Sequence, residues 1–504
     1  MIMSKDRSCP IIIGVAQYTQ PKDISQPLDP LNLMVKTCQK AFADTRNEEI
    51  KNIIDTLYMV NINSWSYKDA PSELSNILGI NPAQKVYLHD GGDSPQMLVN
   101  RGAKAIASGK SKFILMTGGE AAYSVYRERK KKIRLNWPRK KTPKYMEKNS
   151  QPYTSGFENK YGMIYPSCTY AMFETAVRAA SGRSLEQQRE YMGKLFEHYS
   201  KKASKNPYAW SQKFYTADEI TIPSSKNRNI MYPYTKRMCS NIFVDQSASL
   251  IMTNEKLAEE LAINPKRWIY PMGGADLKNI LSIISRPKLY DSPAAREGSR
   301  IALNQAGLTL EDIDIFDIYS CFPSMVQIIM NEIGLSADDP RDLTITGGLP
   351  YFGGPLNNYC MHAIIDSVNL IRKNPSKKIM VVANGGYNTK QSFGIYGTQP
   401  PVIPWDERND AEIQQSIFSK SLPDPIEEAD NQITIEAYTI YYDRKGLPKR
   451  VIVCGHLENG RRTLALIEGK TELLEKLEKQ ELVGKVFPVH HDSGEGLNFI
   501  SIKN

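Results

Sequence analysis

One pattern occurs twice in the chain. Asn100–Gly119 reads NRGAKAIASGKSKFILMTGG, and His362–Gly386 reads HAIIDSVNLIRKNPSKKIMVVANGG. Each is a helical apolar period, a lysine-containing turn, a run of consecutive apolar residues and a pair of glycines. A continuous apolar run suits a strand covered on both faces. A helix leading into such a strand, twice, limits the chain to two similar α/β halves, each a sheet covered by helices. The 504 residues exceed what one unit needs, since domains run to about 100–200 residues.

Further elements fit this plan. The first half starts with a strand at Ile11–Val15 and a helix at Pro30–Asp44, then a strand at Lys85–Leu88 and a helix at Pro95–Ser108. The second half starts near Trp268–Pro271. It continues with a helix at Ala294–Ala306, stopped by Gly307 as a C-cap, a strand at Ile313–Ile318 and a helix at Pro323–Ile333. A polar, mostly helical insertion rich in tyrosine and lysine occupies about residues 123–240. After Asp424 the pattern becomes β-rich, with strands at Gln432–Tyr442, Arg450–Leu457 and Arg462–Ile467, and Asn459-Gly460 as a hairpin turn. A charged helix at Thr471–Gln480 and a last strand pair follow. The expected units are 1–265 with the insertion, 266–400, a proline-rich linker at 401–423, and 424–504.

Bulk properties exclude several classes. Ile11–Val15 and Ile379–Ala383 are far too short to cross a bilayer, and MIMSKDRSCP lacks the layout of a secretion signal. A cytoplasmic protein is expected. The 7 cysteines are scattered singly, which points to reduced thiols and no structural metal. The charge of +9 is concentrated in Arg127–Lys144, opposed there only by Glu128. This run reads as a solvated insertion, with a patch for a polyanion such as a nucleotide phosphate as the alternative.

Chemistry is expected at three strand-to-helix junctions: Gly92-Asp93-Ser94-Pro95, Ser320-Cys321-Phe322-Pro323 and Gly353-Gly354-Pro355. Each places proline at the first helical position. Ligands of layered α/β folds bind beyond the carboxyl ends of the strands. Converging helix N-termini there would stabilise an oxyanion. Cys321 is the nucleophile candidate, because a helix N-terminus lowers a thiol pKa. A buried filler is its plainer fate. His362 is the base candidate, with a hydrogen-bonded core histidine as the plainer reading.

At these junctions the sequence resembles the thiolase superfamily, especially the sterol-carrier-protein type and the type-1 thiolase-like proteins with an extra C-terminal domain. AREGSRIALNQAGLTLEDIDIFDIYSCF is similar to the segment that leads into the family's NEAF or HDCF motif. CSNIFVDQSASLIM is similar to its DGAAA-like segment, and YGMIYPS to its loop domain. The resemblance covers roughly Ile11–Gly397. It implies an α/β thiolase fold of two duplicated βαβαβ halves, a helical loop domain contacting coenzyme A, and a small C-terminal OB-like domain.

The resemblance also implies where reactive groups belong. The nucleophilic cysteine falls at about Gly92, followed by the small residue Ser94. The histidine of the GHP motif falls on Gly354, and the late cysteine near Ala383. The residue opening NEAF or HDCF becomes Tyr319, and Cys321 matches the HDCF cysteine. A Claisen condensation needs a thiolate and a base, and glycine supplies neither. His362 lies eight residues past Gly354, about 12 Å along a helix. The expectation is acyl transfer or thioester cleavage of an acyl-CoA, acetyl-CoA acetyltransferase-like. Cys321 and His362 would be catalytic, and Gly92, Ser94, Tyr319, Gly353, Gly354, Asn357 and Asn358 would line the substrate. No cofactor is expected beyond the CoA thioester as substrate or ligand. The alternative is a silent CoA-thioester sensor or scaffold in lipid metabolism. A homodimer through the sheet is a further expectation from the family. A nucleic-acid role for the C-terminal domain ranks last, because its strands lack an interleaved aromatic and basic platform.

Overall fold

A computed structural model describes residues 8–143, 153–407 and 409–502; Lys144, the last residue of the basic run, lies outside them. The first sheet contains β1 (Pro10–Thr19), β2 (Thr56–Met59), β3 (Gln84–Tyr87) and β4 (Ile114–Ala121). The insertion carries β5 (Asn229–Met231) and β6 (Tyr234–Thr235), and β7 (Asp245–Asn254) returns to the sheet. The order is β1-β7-β4-β2-β3. The second sheet contains β8 (Tyr270–Lys278), β9 (Ile315–Ile318), β10 (Ile379–Gly385) and β11 (Lys390–Gly397), in the order β8-β11-β10-β9. The two sheets repeat one arrangement. β4 and β10 each have a parallel neighbour on one side and an antiparallel one on the other. The duplicated sequence pattern falls on these two strands and the helices before them.

Those helices, Ser94–Ala107 and Tyr359–Lys373, lie between the sheets, and each touches strands of both. Pro30–Thr45 covers the outer face of the first sheet and Pro293–Ala306 that of the second. Five layers result, and the two sheets have covered faces. This explains the continuous apolar runs: Ile379–Ala383 is buried throughout, and each large aliphatic side chain there contributes about 1.5–3 kcal/mol. Local signals set the helix ends. Asp29 accepts the Asn32 N–H at 3.0 Å before Pro30. Gly307 closes Pro293–Ala306 at φ 66°.

The C-terminal region forms β12 (Asn431–Tyr442), β13 (Pro448–Leu457), β14 (Arg462–Ile467), β15 (Val486–Asp492) and β16 (Leu497–Ile500). They pair in a closed ring, β12-β13-β14-β16-β15 and back to β12. Five closed strands are the count of an OB-type barrel. The barrel is built into the body of the molecule. β5 of the insertion extends its sheet through Met231 opposite Tyr441. Thr175 Oγ1 donates to the Tyr438 carbonyl at 2.8 Å, and the Tyr438 N–H donates back at 3.0 Å. The buried Arg462 guanidinium donates to the carbonyls of Ile284 and Arg286 and pairs with Glu436 at 2.8 Å.

Two local readings change. The proline-rich linker contains a helix, Ala411–Phe418. Pro355 does not open the long helix. It precedes a 3₁₀ turn, Leu356–Asn358, and the helix begins at Tyr359. Asn358 is held by its side chain, whose Nδ2 donates to the Gly118 carbonyl at 2.8 Å.

Candidate functional site

The three junctions converge, as the layered fold requires. The Tyr319 N–H donates to the Val382 carbonyl at 3.0 Å. The Leu349 N–H donates to Ser320 Oγ at 3.2 Å, tying the second junction to the glycine loop. The Gly91 N–H donates to Asn357 Oδ1 at 2.9 Å, tying that loop to the first junction. Gly354 donates to the Asn241 carbonyl at 2.9 Å, and Gly353 turns at φ 113° against Gln246, Val244 and Trp210. The residues expected to line substrate therefore meet in space, but several of their hydrogen-bonding groups are spent on the surrounding frame: Asn357 on Gly91, Asn358 on Gly118 and Gly354 on Asn241.

Gly92 is closed off. A Cβ built there would collide with the Tyr319 hydroxyl and stand 2.6 Å from the Asn384 carbonyl oxygen. Tyr319 is held by an edge-on contact with Tyr359, ring centres 5.6 Å apart. The residue opening the NEAF-like motif thus fills the space in which a nucleophile at Gly92 would stand. At Gly354 the neighbours are looser: Leu349 Cδ2 at 3.3 Å and the Asn241 carbonyl at 3.6 Å.

Cys321 and His362 sit in surroundings that keep them neutral. Burial pushes the Cys321 thiol up to about 12, although the Tyr170 hydroxyl beside it favours the thiolate. The argument from the helix N-terminus predicts the opposite direction. It fails because Cys321 lies two residues outside the Pro323–Ile333 helix, with Phe322 as the N-cap. The Tyr170 hydroxyl is itself committed, donating to the Gly386 carbonyl at 3.0 Å and accepting from Asn384 at 2.8 Å. His362 is fully buried in the first turn of its helix, and burial pulls its pKa down to about 3. Its Nδ1 is 2.8 Å from Gln17 Oε1 on β1, and Gln17 Nε2 donates to Asp366 at 2.5 Å. The His362 ring rests on Phe352 at 5.2 Å, and its Nε2 has no partner.

A cavity of about 740 Å³ opens beside the first junction. Asp93 and Ser94 line it, with Asp276, Lys390 and Ser392; Cys321, Tyr319, Gly354 and His362 do not. Asp93 stands at the N-cap position of Ser94–Ala107 but makes no capping bond. Its carboxylate instead faces the Lys390 ammonium at 3.5 Å. Burial works against the charge on Lys390, but Asp93 and Tyr153 outweigh it and hold the pKa above the usual value. Burial pushes the Asp276 carboxyl up to about 6. Sequence reasoning missed these groups. Asp93 was visible inside the first junction motif, whereas Lys390 and Asp276 carry no local signature. Among the described residues no cluster of His, Cys, Asp and Glu is placed to hold a metal, and no helix is long and apolar enough to cross a membrane.

The paired sheets, the helices between them and the converging junctions define a thiolase fold. Human mitochondrial 3-ketoacyl-CoA thiolase has the same fold, with a TM-score of 0.56 at 14% identity over 77% of this chain and 98% of that one. A monomeric SCP2-thiolase like protein type 1 from Mycobacterium smegmatis is much nearer. Its TM-score is 0.85 at 30% identity, over 99% of this chain and all of that one. Residues 412–494 match the family described as the thiolase-like protein type 1 additional C-terminal domain. The chain belongs to the type-1 thiolase-like proteins. Among curated relatives, the acetyl-CoA acetyltransferase of Methanocaldococcus jannaschii is 23% identical over 284 residues, 56% of this chain and 65% of that protein. The acetyl-CoA acetyltransferase of Syntrophomonas wolfei matches over 31% of its own length.

Proposed function

We propose that this chain binds a coenzyme A thioester on a thiolase fold without running Claisen chemistry, as a sensor or scaffold in lipid metabolism. One observation carries the reading: the Tyr319 hydroxyl occupies the space of a side chain at Gly92. A nucleophile must reach the thioester carbon with a base in hydrogen-bond range, and glycine stands where the family places each. The likeness to proteins named acetyl-CoA acetyltransferase supports the ligand class. The 740 Å³ cavity at Asp93 and Ser94 supplies room of ligand size beside the junction. The M. smegmatis relative is described as monomeric, and we take a monomer in the cytoplasm as the working state instead of a dimer.

A second reading keeps acyl transfer or thioester cleavage, with Cys321 as acyl acceptor and His362 as supporting base. The nearness of the Tyr170 hydroxyl to the Cys321 thiol favours it, provided the hydroxyl turns from the Gly386 carbonyl to the sulfur when ligand binds, because a hydrogen-bond donor there stabilises a thiolate. Calorimetric titration with acetyl-CoA and longer acyl-CoAs, run alongside an assay of free thiol release, separates the two. The proposal expects binding without release, unchanged in Cys321→Ala and His362→Ala. Release that disappears in Cys321→Ala establishes the second reading. Failure of every CoA derivative to bind rejects both.

A further inference from the structure

A second cavity, of about 450 Å³, lies on the seam between the insertion and the C-terminal barrel. Arg228 of the insertion and Arg444 and Arg450 of the barrel line it, and no aspartate or glutamate does. Among the described residues no carboxylate forms an ion pair with any of the three. The nearest acidic residue in sequence, Asp443, is engaged elsewhere. It accepts the N–H groups of Lys445 at 2.8 Å and Leu447 at 3.1 Å and pairs with Lys449 at 3.3 Å. Arg450 lines the cavity, and its buried Nε has no hydrogen-bond partner. Three arginines thus line one cavity with no carboxylate among the lining residues, and an anion bound there would offset the repulsion between like charges.

Two other features narrow the anion. The 15-residue helix Pro166–Ala180 begins at the same cavity, and its N-cap, Tyr165, makes no side-chain capping bond. An uncapped N-terminus next to arginines favours phosphate. Two tyrosine rings line the cavity as well: Tyr165 is 67% exposed and Tyr441 42% exposed. Arg450 lies over the Tyr441 ring at 5.9 Å. Exposed rings beside guanidinium groups are a stacking platform for a planar base. A volume of 450 Å³ falls within the range of small-ligand sites, about 300–1,000 Å³.

We infer that this seam is a nucleotide site. The arginines and the helix N-terminus would hold one or two phosphates, and Tyr165 and Tyr441 would hold the base. The C-terminal barrel then has a binding role: it contributes Arg444, Arg450 and Tyr441 to a pocket the thiolase body cannot complete alone. The source of the nucleotide is either a free molecule or the nucleotide end of a larger cofactor. No residue of the Gly92 centre takes part, so a free-nucleotide site stands apart from the thioester reading, whereas a site for the cofactor's nucleotide rests on it.

The test is calorimetry on the full chain with ADP, adenosine, inorganic pyrophosphate and coenzyme A. ADP should bind at least about tenfold more tightly than adenosine, the value of a charge-assisted phosphate contact. Arg228→Ala and Arg444→Ala, both at exposed positions where folding is not at stake, should each weaken ADP about tenfold and leave adenosine unchanged. Tyr441→Ala should weaken ADP more than pyrophosphate. Competition between coenzyme A and ADP assigns the site to the cofactor's nucleotide, and independent binding assigns it to a free nucleotide; both support the site. The inference is overturned if ADP does not bind, if ADP binds the Arg444→Ala/Arg450→Ala variant as tightly as the parent, or if only a single-stranded oligonucleotide binds.

Discussion

Gly92 and Gly354 occupy equivalent places in the resemblance, yet they lack a reactive side chain for different structural reasons. At Gly92 the missing volume has been taken over by a packed neighbour, Tyr319, and by the Asn384 backbone. At Gly354 the volume is almost free, bounded by the end of a leucine side chain. The first position therefore requires glycine, and the second merely contains it. A reactive centre restored at Gly354 alone would have no partner, whereas one restored at Gly92 would first have to displace a buried tyrosine.

The largest expected effect tests the closed position. Gly92→Cys should lower stability by about 3 kcal/mol, the scale of overpacking against immobile neighbours, read from the urea midpoint. Adding Tyr319→Asn removes the colliding ring. The pair should be less damaging than the sum of the single changes by about 1–2 kcal/mol. Strict additivity would mean that the Asn384 backbone alone, and not the tyrosine, closes the site.

An intermediate effect tests His362, the group that was to replace the histidine missing at Gly354. Its folded pKa of about 3 lies below the usual value of 6.5. As pH falls, the unfolded chain takes up a proton first. The stability of the neutral, buried ring is present above about pH 6.5 and is lost as the pH falls toward 3. Between pH 7 and pH 5 the loss should be about 2 kcal/mol. His362→Gln should therefore lose about 2 kcal/mol less than the parent over that interval, in paired urea titrations. An equal pH response in both proteins would mean that His362 is accessible to protons, and would reopen its role as a base.

The smallest effect tests the open position. Gly354→Ala should change stability by less than about 1 kcal/mol, because the nearest atom to the added methyl is the end of a flexible side chain, Leu349 Cδ2 at 3.3 Å, the Asn241 carbonyl stands at an ordinary 3.6 Å, and the backbone is not left-handed. A cost as large as that at Gly92 would remove the contrast between the two glycines.

Much of this architecture was legible in the sequence. The duplicated pattern fell on β4 and β10, because a strand buried on both faces leaves an unbroken apolar run and a covering helix leaves a period of 3.6. Asn459-Gly460 marked its hairpin, with Gly460 at φ 75°, because that backbone conformation favours glycine. The convergence of the junctions was also legible, since it follows from the fold. The state of the groups at those junctions was not. Cys321 near a helix start suggests an acidic thiol, and the observed thiol is pushed the other way by burial that no neighbouring residue announces. Asp93 stands at the N-cap position of its helix, yet its carboxylate turns to Lys390, almost 300 positions away in sequence. The barrel was legible as a separate β-rich segment, but not its extension by β5 or the arginines it brings beside the insertion.

The sequence by itself determined the two α/β halves, the β-rich C-terminal segment and the absence of a side chain at Gly92 and Gly354, because periodicity, turn chemistry and residue identity are local properties. Only the tertiary structure decided that Tyr319 closes the first position, that His362 faces Gln17, and that three arginines meet at a seam. Those outcomes depend on packing between segments far apart in the chain, where volume, burial and unpaired charge are set by neighbours that local sequence does not specify.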